Sequence, residues 1–467
     1  MTNIPQISEN ENENENDFMK SIISFVKKFK VINALKKSNC YKEKGTCVHD
    51  IFCYLLQLVY TGKSMYMNYQ TKSDEPKFGK DTVYRFLNSM YINWQTFLLR
   101  LSGTVIETHL RNLTSEDRMN AIIVDDSFYG RTRSKKVELL SNVFDHASKG
   151  AKYKKGFRML TAGWTDGNTF VPLSFNLQSS EKEKNRFCEM KDGLNRNSIA
   201  YKRRKQAISK STDVMIDMLK TIVKAGVPAK HVLFDSWFSY PSTIMKILKL
   251  NLHTVGRLKN TTKIKYIFNG ERKTLSQIYK SRKKRPGRSK YLLSVMAQIY
   301  DSADNKLDVK LVFVRDRNDR KKWIGFICTD LSLTEEQIIA LYGKRWSIEV
   351  FFKICKSYLN LGKEFQGLSY DSMIAHTTIV MTRYIMLAVE NRNNKDERTM
   401  GELFFLIHDE LQDVNFSEVL RVILDILKEV LQDLLFLTGE QIDRFIDNFI
   451  LKLPKHFAEK FSVKKVA

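Results

Sequence analysis

The sequence predicts a mixed α/β fold, one sheet with helices on its faces, flanked at both ends by helical regions. Three observations carry that expectation. Two short apolar runs end in aspartate, at 121–126 (AIIVDD) and 231–235 (HVLFD), as buried strands reaching a sheet edge do. Asp166-Gly167 lies between two apolar segments, a strong hairpin signal. Helical periodicity fills the intervals between these strands and continues beyond them.

The 467 residues are too many for one compact core, so several units are expected. A hydrophobic share of 43%, with 29 Phe and 19 Tyr, excludes a mainly disordered chain. Lys and Arg total 77 against 52 Asp and Glu, a formal net charge of +25 that favours a polyanionic partner, nucleic acid before an acidic membrane. The N-terminus is acidic and polar, and no run reaches the roughly 18 charge-free apolar residues of a membrane span. The six cysteines show no framework spacing, which favours reduced thiols and a cytoplasmic, nucleoid-associated location. Cys40, Cys47, His49 and Cys53 lie close in sequence but match no common zinc pattern.

Taken in order, residues 1–17 read as a disordered acidic lead-in. Residues 18–115 read as a helical domain, with Phe18, Ile22, Phe25, Phe29 and Ile32 at helical spacing. There Asp81 or Thr82 can cap a short helix carrying Tyr84 and Arg85. That arrangement is compatible with DNA binding and equally with an ordinary helical subdomain. The core spans 116–258 and 331–370, interrupted by a β-rich basic insertion at 259–330. Residues 334–359 read as one helix opening at Thr334. Residues 371–467 read as a helical C-terminal domain in which Leu420, Ile423, Leu427, Leu431 and Leu434 share a face.

Chemistry at a phosphodiester requires charge neutralisation, an activated water and a stabilised leaving oxygen. Two hard divalent cations held by carboxylates can meet all three needs, so acids should project from rigid elements into one cleft. Asp125 and Asp126 end the first strand and Asp235 ends the second. Each alone is an ordinary turn or cap residue. In LYGKRWSIEVFFKICKSYL, Tyr342, Arg345, Glu349 and Lys356 fall within a sector about 60° wide on one continuous helix. An exposed salt-bridge face explains the Arg345–Glu349 spacing but not the alignment of Tyr342 and Lys356.

The string Tyr342-x2-Arg345-x3-Glu349-x6-Lys356, with Trp346 after the arginine, resembles the signature of bacterial insertion-sequence DDE transposases, in particular the cut-and-paste group that forms hairpin ends. The resemblance covers about residues 120–360 and is clearest over 231–258 and 340–358. It implies a ribonuclease-H-like mixed sheet in which Asp126, Asp235 and Glu349 hold two Mg²⁺ or Mn²⁺ ions. Asp125 is the alternative first acid; Asp126 is preferred because the family's strand acid is commonly followed by a small hydroxyl residue, here Ser127. The resemblance further implies that Tyr342, Arg345 and Lys356 grip phosphates, and that Trp323 stacks an extrahelical base during hairpin formation. A core tryptophan is the competing reading for Trp323.

Residues 259–290 contain twelve Lys or Arg, including Arg282, Lys283, Lys284 and Arg285, against the single acid Glu271, a composition suited to DNA backbone contact. A second basic stretch, 182–210, includes Lys202, Arg203, Arg204 and Lys205. Thr61-Gly62-Lys63-Ser64 ends like a phosphate-binding loop, but Gln57 stands where its first glycine is required, so no nucleotide cofactor is expected. The leading expectation is a transposase that nicks, hairpins and joins double-stranded DNA at terminal inverted repeats and inserts into target DNA, as a homodimer away from any membrane. The alternatives are a metal-dependent endonuclease on the same scaffold, without strand transfer, and a catalytically silent DNA-binding protein.

Overall fold

The computed structural model describes residues 21–393, apart from 63, 72–75, 115–117, 146–151, 287–288, 317–318, 320 and 366, together with isolated positions between 441 and 448. The expected lead-in at 1–17 and the leucine-rich face at 420–434 lie outside the described residues. The chain divides into two compact units. One comprises 1–28, 52–76 and 397–467, and its described parts are largely helical, including Met65–Thr71. The other comprises 29–51 and 77–396 and holds the sheet.

After a short helix at Val31–Lys36, the second unit carries α1 (Lys80–Leu87) and α2 (Trp94–Val105) ahead of the sheet. α1 starts at Gly79 with no side-chain cap, so neither Asp81 nor Thr82 serves as its N-cap. α2 packs on the strand Phe170–Gln178 and is tied to it by the Ser102 hydroxyl donating to the Pro172 carbonyl at 2.6 Å. These helices belong to the same compact unit as the sheet.

The sheet begins with β1 (Ala121–Gly130), β2 (Ser141–Asp145), β3 (Lys152–Thr165) and β4 (Phe170–Gln178). β3 runs antiparallel to β1 along its length, while β2 and β4 pair with its two ends. The β3–β4 turn is the one expected. Asp166 accepts from the backbone N–H groups of Asn168 and Thr169, and Gly167 takes a φ of +100° that disfavours any side chain. Next come α3 (Ile199–Ala207) and α4 (Ser211–Lys224), β5 (His231–Phe234), α5 (Pro241–Leu248) and β6 (His253–Arg257). β5 lies parallel to both β1 and β6. The order β4-β3-β1-β5-β6, three antiparallel strands followed by two parallel ones, is a ribonuclease-H-like core.

The β-rich insertion is not a separate body but more of the same sheet. It contains β7 (Lys265–Phe268), β8 (Glu271–Thr274), α6 (Leu275–Lys280), β9 (Leu293–Tyr300), β10 (Lys306–Arg315) and β11 (Trp323–Cys328). β11 pairs antiparallel with β6, and the ladder continues through β10, β9, β7 and β8. The insertion thus satisfies the open edge that β6 would otherwise present.

The expected single helix at 334–359 is two: α7 (Glu335–Gly343) and α8 (Trp346–Ser357). Thr334 caps α7 with a reciprocal capping box to Gln337, as the sequence suggests. The break follows Gly343, where backbone bonds tighten to an i→i−3 pattern from Lys344 to Ile348. α9 (Tyr370–Asn393) follows. Tyr370–Arg392 has the length and hydropathy to cross a membrane. Asp371, Arg383 and Glu390 interrupt it, so it is not the charge-free run of about 18 residues whose absence the sequence showed. The most apolar window of α9 is wholly buried, however, and the helix packs against β4, α2 and α8.

A buried ion network locks α3 to the start of α9. Arg204, 1% exposed, donates to both Glu138 and Asp371, while Arg203 reaches Asp371 at 3.2 Å and the Ile92 carbonyl at 2.7 Å. Removing one member of such a set leaves uncompensated buried charge. Arg204→Met should destabilise the protein by about 3 kcal/mol or more. A urea midpoint indistinguishable from wild type would refute that role.

Candidate active site

Register sets the two strand-end acids side by side. Val124 of β1 pairs in parallel with Phe234 of β5, so Asp125 and Asp235 emerge next to each other just past the last paired residues. Successive side chains on a strand point to opposite faces. Asp125 and Ser127 therefore share a face, and Asp126 takes the other.

Helix α8 covers the Asp125 face. The Arg345 guanidinium at its N-terminus donates to the Asp125 carboxylate at 2.6 Å and to the Glu349 carboxylate one turn later. The Lys356 ammonium, two turns further on, donates to the Ser127 hydroxyl at 2.6 Å. Tyr342, at the end of α7, packs its ring on Phe326 of β11 with centroids 4.4 Å apart, and the guanidinium lies 5.9 Å from that ring. The helix break does not disperse the four signature residues, because both helices remain against the same sheet face.

Charge is crowded here. Burial raises the Asp125 carboxyl to about 7; Arg345 opposes the shift, while the like charges of Asp126 and Asp235 add to it. Burial likewise pushes the Tyr342 phenol up to about 12, so it stays a neutral donor. Burial also lowers the Lys356 ammonium from its ordinary value, with Asp145 acting the other way.

Asp126, the preferred first acid, does not join this assembly. It faces away and pairs with Arg158 of β3. The alternative, Asp125, is the strand acid that meets Glu349 through Arg345. No sequence signal separates the two adjacent aspartates, since the choice depends on which face of β1 the helix covers. Among the described residues, no three His, Cys, Asp or Glu side chains gather closely enough to hold a metal, in this site or around Cys40 and His49. At the strand ends the guanidinium itself stands between two of the acids. The donor set is nonetheless suitable for a hard divalent ion: carboxylate oxygens whose mutual repulsion calls for positive charge.

Other expected contacts fare unevenly. Trp323 belongs to an aromatic cluster in the insertion, stacked on Tyr279 at 4.7 Å and edged by Phe313 at 5.2 Å, so its ring faces are largely committed to packing. Arg203 and Arg204 are buried in the ion network and unavailable to DNA, whereas their neighbours Lys202 and Lys205 are exposed. In the basic run, Arg282, Lys283 and Arg285 are exposed and Lys284 is partly so. Mutual repulsion is eased by aromatic faces, with Arg282 over Phe268, Lys284 over Tyr279 and Arg285 over Tyr291. Arg85 of α1 lines a cleft of about 1160 Å³ together with Lys42, Lys44 and the exposed rings of Tyr41 and Tyr91, with no acid in its wall.

The raised Asp125 pKa has a stability consequence. Its contribution is fully present below the unfolded carboxyl value near 4 and is lost as pH rises through about 7. Asp125→Asn is neutral throughout, so in metal-free buffer its Tm relative to wild type should rise between about pH 5 and about pH 8. A constant difference across that range would contradict the assigned burial.

The family described as DDE superfamily endonuclease matches residues 50–305, more than half of the chain. Among solved structures, the Drosophila P element transposase strand transfer complex is similar at 11% identity with a TM-score of 0.21, over 53% of this chain and 51% of that one. The chain thus spans about half the length of that protein, and the fold rests on the strand pairings above, not on so slight a likeness. Among curated protein sequences none matches. By its matched family the chain belongs to the DDE superfamily endonucleases.

Proposed function

We propose that the chain is a DNA transposase of the bacterial insertion-sequence type, with Asp125, Asp235 and Glu349 as its acids. The observation that carries this reading is the Asp125–Arg345–Glu349 assembly across β1 and α8, with Asp235 beside it at the neighbouring strand end. DDE superfamily endonucleases generally use divalent metal ions. Two Mg²⁺ or Mn²⁺ ions held by these acids would supply charge neutralisation and Lewis acidity at the scissile phosphodiester.

The chain's own groups do the positioning. Arg345 presents a rigid fork that can bind a phosphate through two parallel bonds, whereas Lys356 offers a point charge. Tyr342, kept protonated by burial, donates a neutral hydrogen bond to the same strand. In the proposed sequence a first nick frees a 3′-hydroxyl, which attacks the opposite strand to close a hairpin. After the hairpin is opened, the same hydroxyl attacks target DNA. The basic run at 282–285 and the acid-free cleft around Arg85 give inverted repeats and target DNA cationic surfaces to bind. A homodimer on the two transposon ends, working at the nucleoid in the cytoplasm, completes the reading.

Glu349→Ala should lower nicking in Mg²⁺ by roughly a thousandfold or more while end binding stays nearly intact. Full nicking by that variant would remove Glu349 from the chemistry. The second reading, an endonuclease without strand transfer, is favoured by the family's own description. Incubating the protein with DNA carrying its flanking terminal repeats and a target plasmid separates the two. Joined products support transposition, and cleavage alone supports the endonuclease.

A further inference from the structure

Two groups at the strand ends have no place in the Arg345 assembly: the second acid, Asp126, and an exposed tryptophan. Asp126 lies opposite Leu160 in the β1–β3 ladder, so Arg158, two residues along β3, is its diagonal neighbour on the same face. The two form an ion pair, with their side chains 16% and 19% exposed. The Arg158 guanidinium also lies over the indole of Trp237, 5.0 Å from the ring centroid, and the Lys259 ammonium is 5.8 Å from the same ring. Trp237 follows Asp235 by two residues, and the Asp235 carboxylate accepts its backbone N–H at 2.7 Å, which fixes the turn.

Trp237 nevertheless remains 41% exposed. Burying an indole is among the larger apolar gains open to a fold, so one left partly exposed, with two cations against it at the rim of a charged site, marks a surface for a flat partner. Flat rings beside phosphates, met by an aromatic platform and fixed cations, are the recognition problem posed by a nucleic-acid strand. The carboxylate of Asp126 restrains the Arg158 fork, so less side-chain freedom is lost when it meets a phosphate.

We propose that Trp237, Arg158 and Lys259 form a nucleotide subsite beside the Asp125–Asp235 edge. The indole stacks one base of the DNA strand, the two cations take the flanking phosphates, and Asp126 is the positioning residue that holds Arg158 in place. The identity of the ligand rests on the DNA-processing reading above; the subsite itself is independent of whether cutting or joining follows.

The test uses the full chain and a DNA duplex with a single-stranded overhang containing 2-aminopurine, first in EDTA and then in Mg²⁺. In EDTA, wild type should quench the 2-aminopurine. Trp237→Ala should weaken binding by about fivefold to a hundredfold and abolish the quench, whereas Trp237→Phe should stay within about threefold of wild type. Asp126→Asn should weaken binding in the same sense, and the double variant with Trp237→Ala should lose little more than the single one, because both act through one platform. In Mg²⁺ the Asp126→Asn effect should appear in KM and not in kcat.

Equal affinity and equal quenching for wild type and Trp237→Ala would overturn the subsite. Loss of kcat in Asp126→Asn with affinity intact would overturn the positioning role and return Asp126 to the cutting machinery. If wild type binds through Trp237 yet cleaves nothing in Mg²⁺, the subsite stands and the nuclease reading falls.

Discussion

The Arg345 guanidinium, shared between Asp125 of β1 and Glu349 of α8, is the contact on which the site depends. Four carboxylates, from Asp125, Asp126, Asp235 and Glu349, are carried by the ends of two adjacent strands and the first turns of one helix. Left alone, they would repel one another and push the helix from the sheet. One half-buried guanidinium answers two of them with directed hydrogen bonds, and its fork geometry fixes the approach of α8 to β1. Arg158 answers a third from the opposite face. Burial, with a smaller addition from the like charges of Asp126 and Asp235, still raises the Asp125 carboxyl to about 7 against the pull of Arg345. An edge so charged is suited to a divalent ion and to the phosphates such an ion would accompany.

The sheet is what makes this geometry rigid. The parallel register of β1 with β5 puts Asp125 and Asp235 at equivalent positions, and β5 also pairs with β6, to which the whole insertion is joined. The insertion therefore braces the same layer that carries the acids, and Phe326 of β11 supports the Tyr342 ring directly. α9 packs on β4 and on α8, and the Arg204 network ties its first turn to α3.

Much of this was legible in the residues. The two apolar runs ending in aspartate became β1 and the strand–turn junction of β5, Asp166-Gly167 became the turn it resembles, and Thr334 capped a helix as its spacing with Gln337 suggests. Tyr342, Arg345, Glu349 and Lys356 did converge, although on two helices instead of one. Gly343 was the available sign of a break, but isolated glycines are common enough within helices that it did not decide the matter. The arginines of α3 were harder to read. A run of Lys-Arg-Arg-Lys has one composition whether it faces water or closes a buried ion pair, and the acids that claim Arg203 and Arg204 lie far away in sequence.

Composition, periodicity and motif spacing thus indicated the class of fold and the order of its main elements, and with the transposase resemblance they pointed to three of the four residues gathered at the strand ends: Asp235, Arg345 and Glu349. Those features are local, expressed within a turn or a strand. Tertiary structure alone decided which of two adjacent aspartates faces α8, which cations meet the exposed Trp237, and which basic residues remain available to a polyanion. Each of those outcomes depends on what packs against a given face. A strand presents its two faces with equal weight until another element covers one of them.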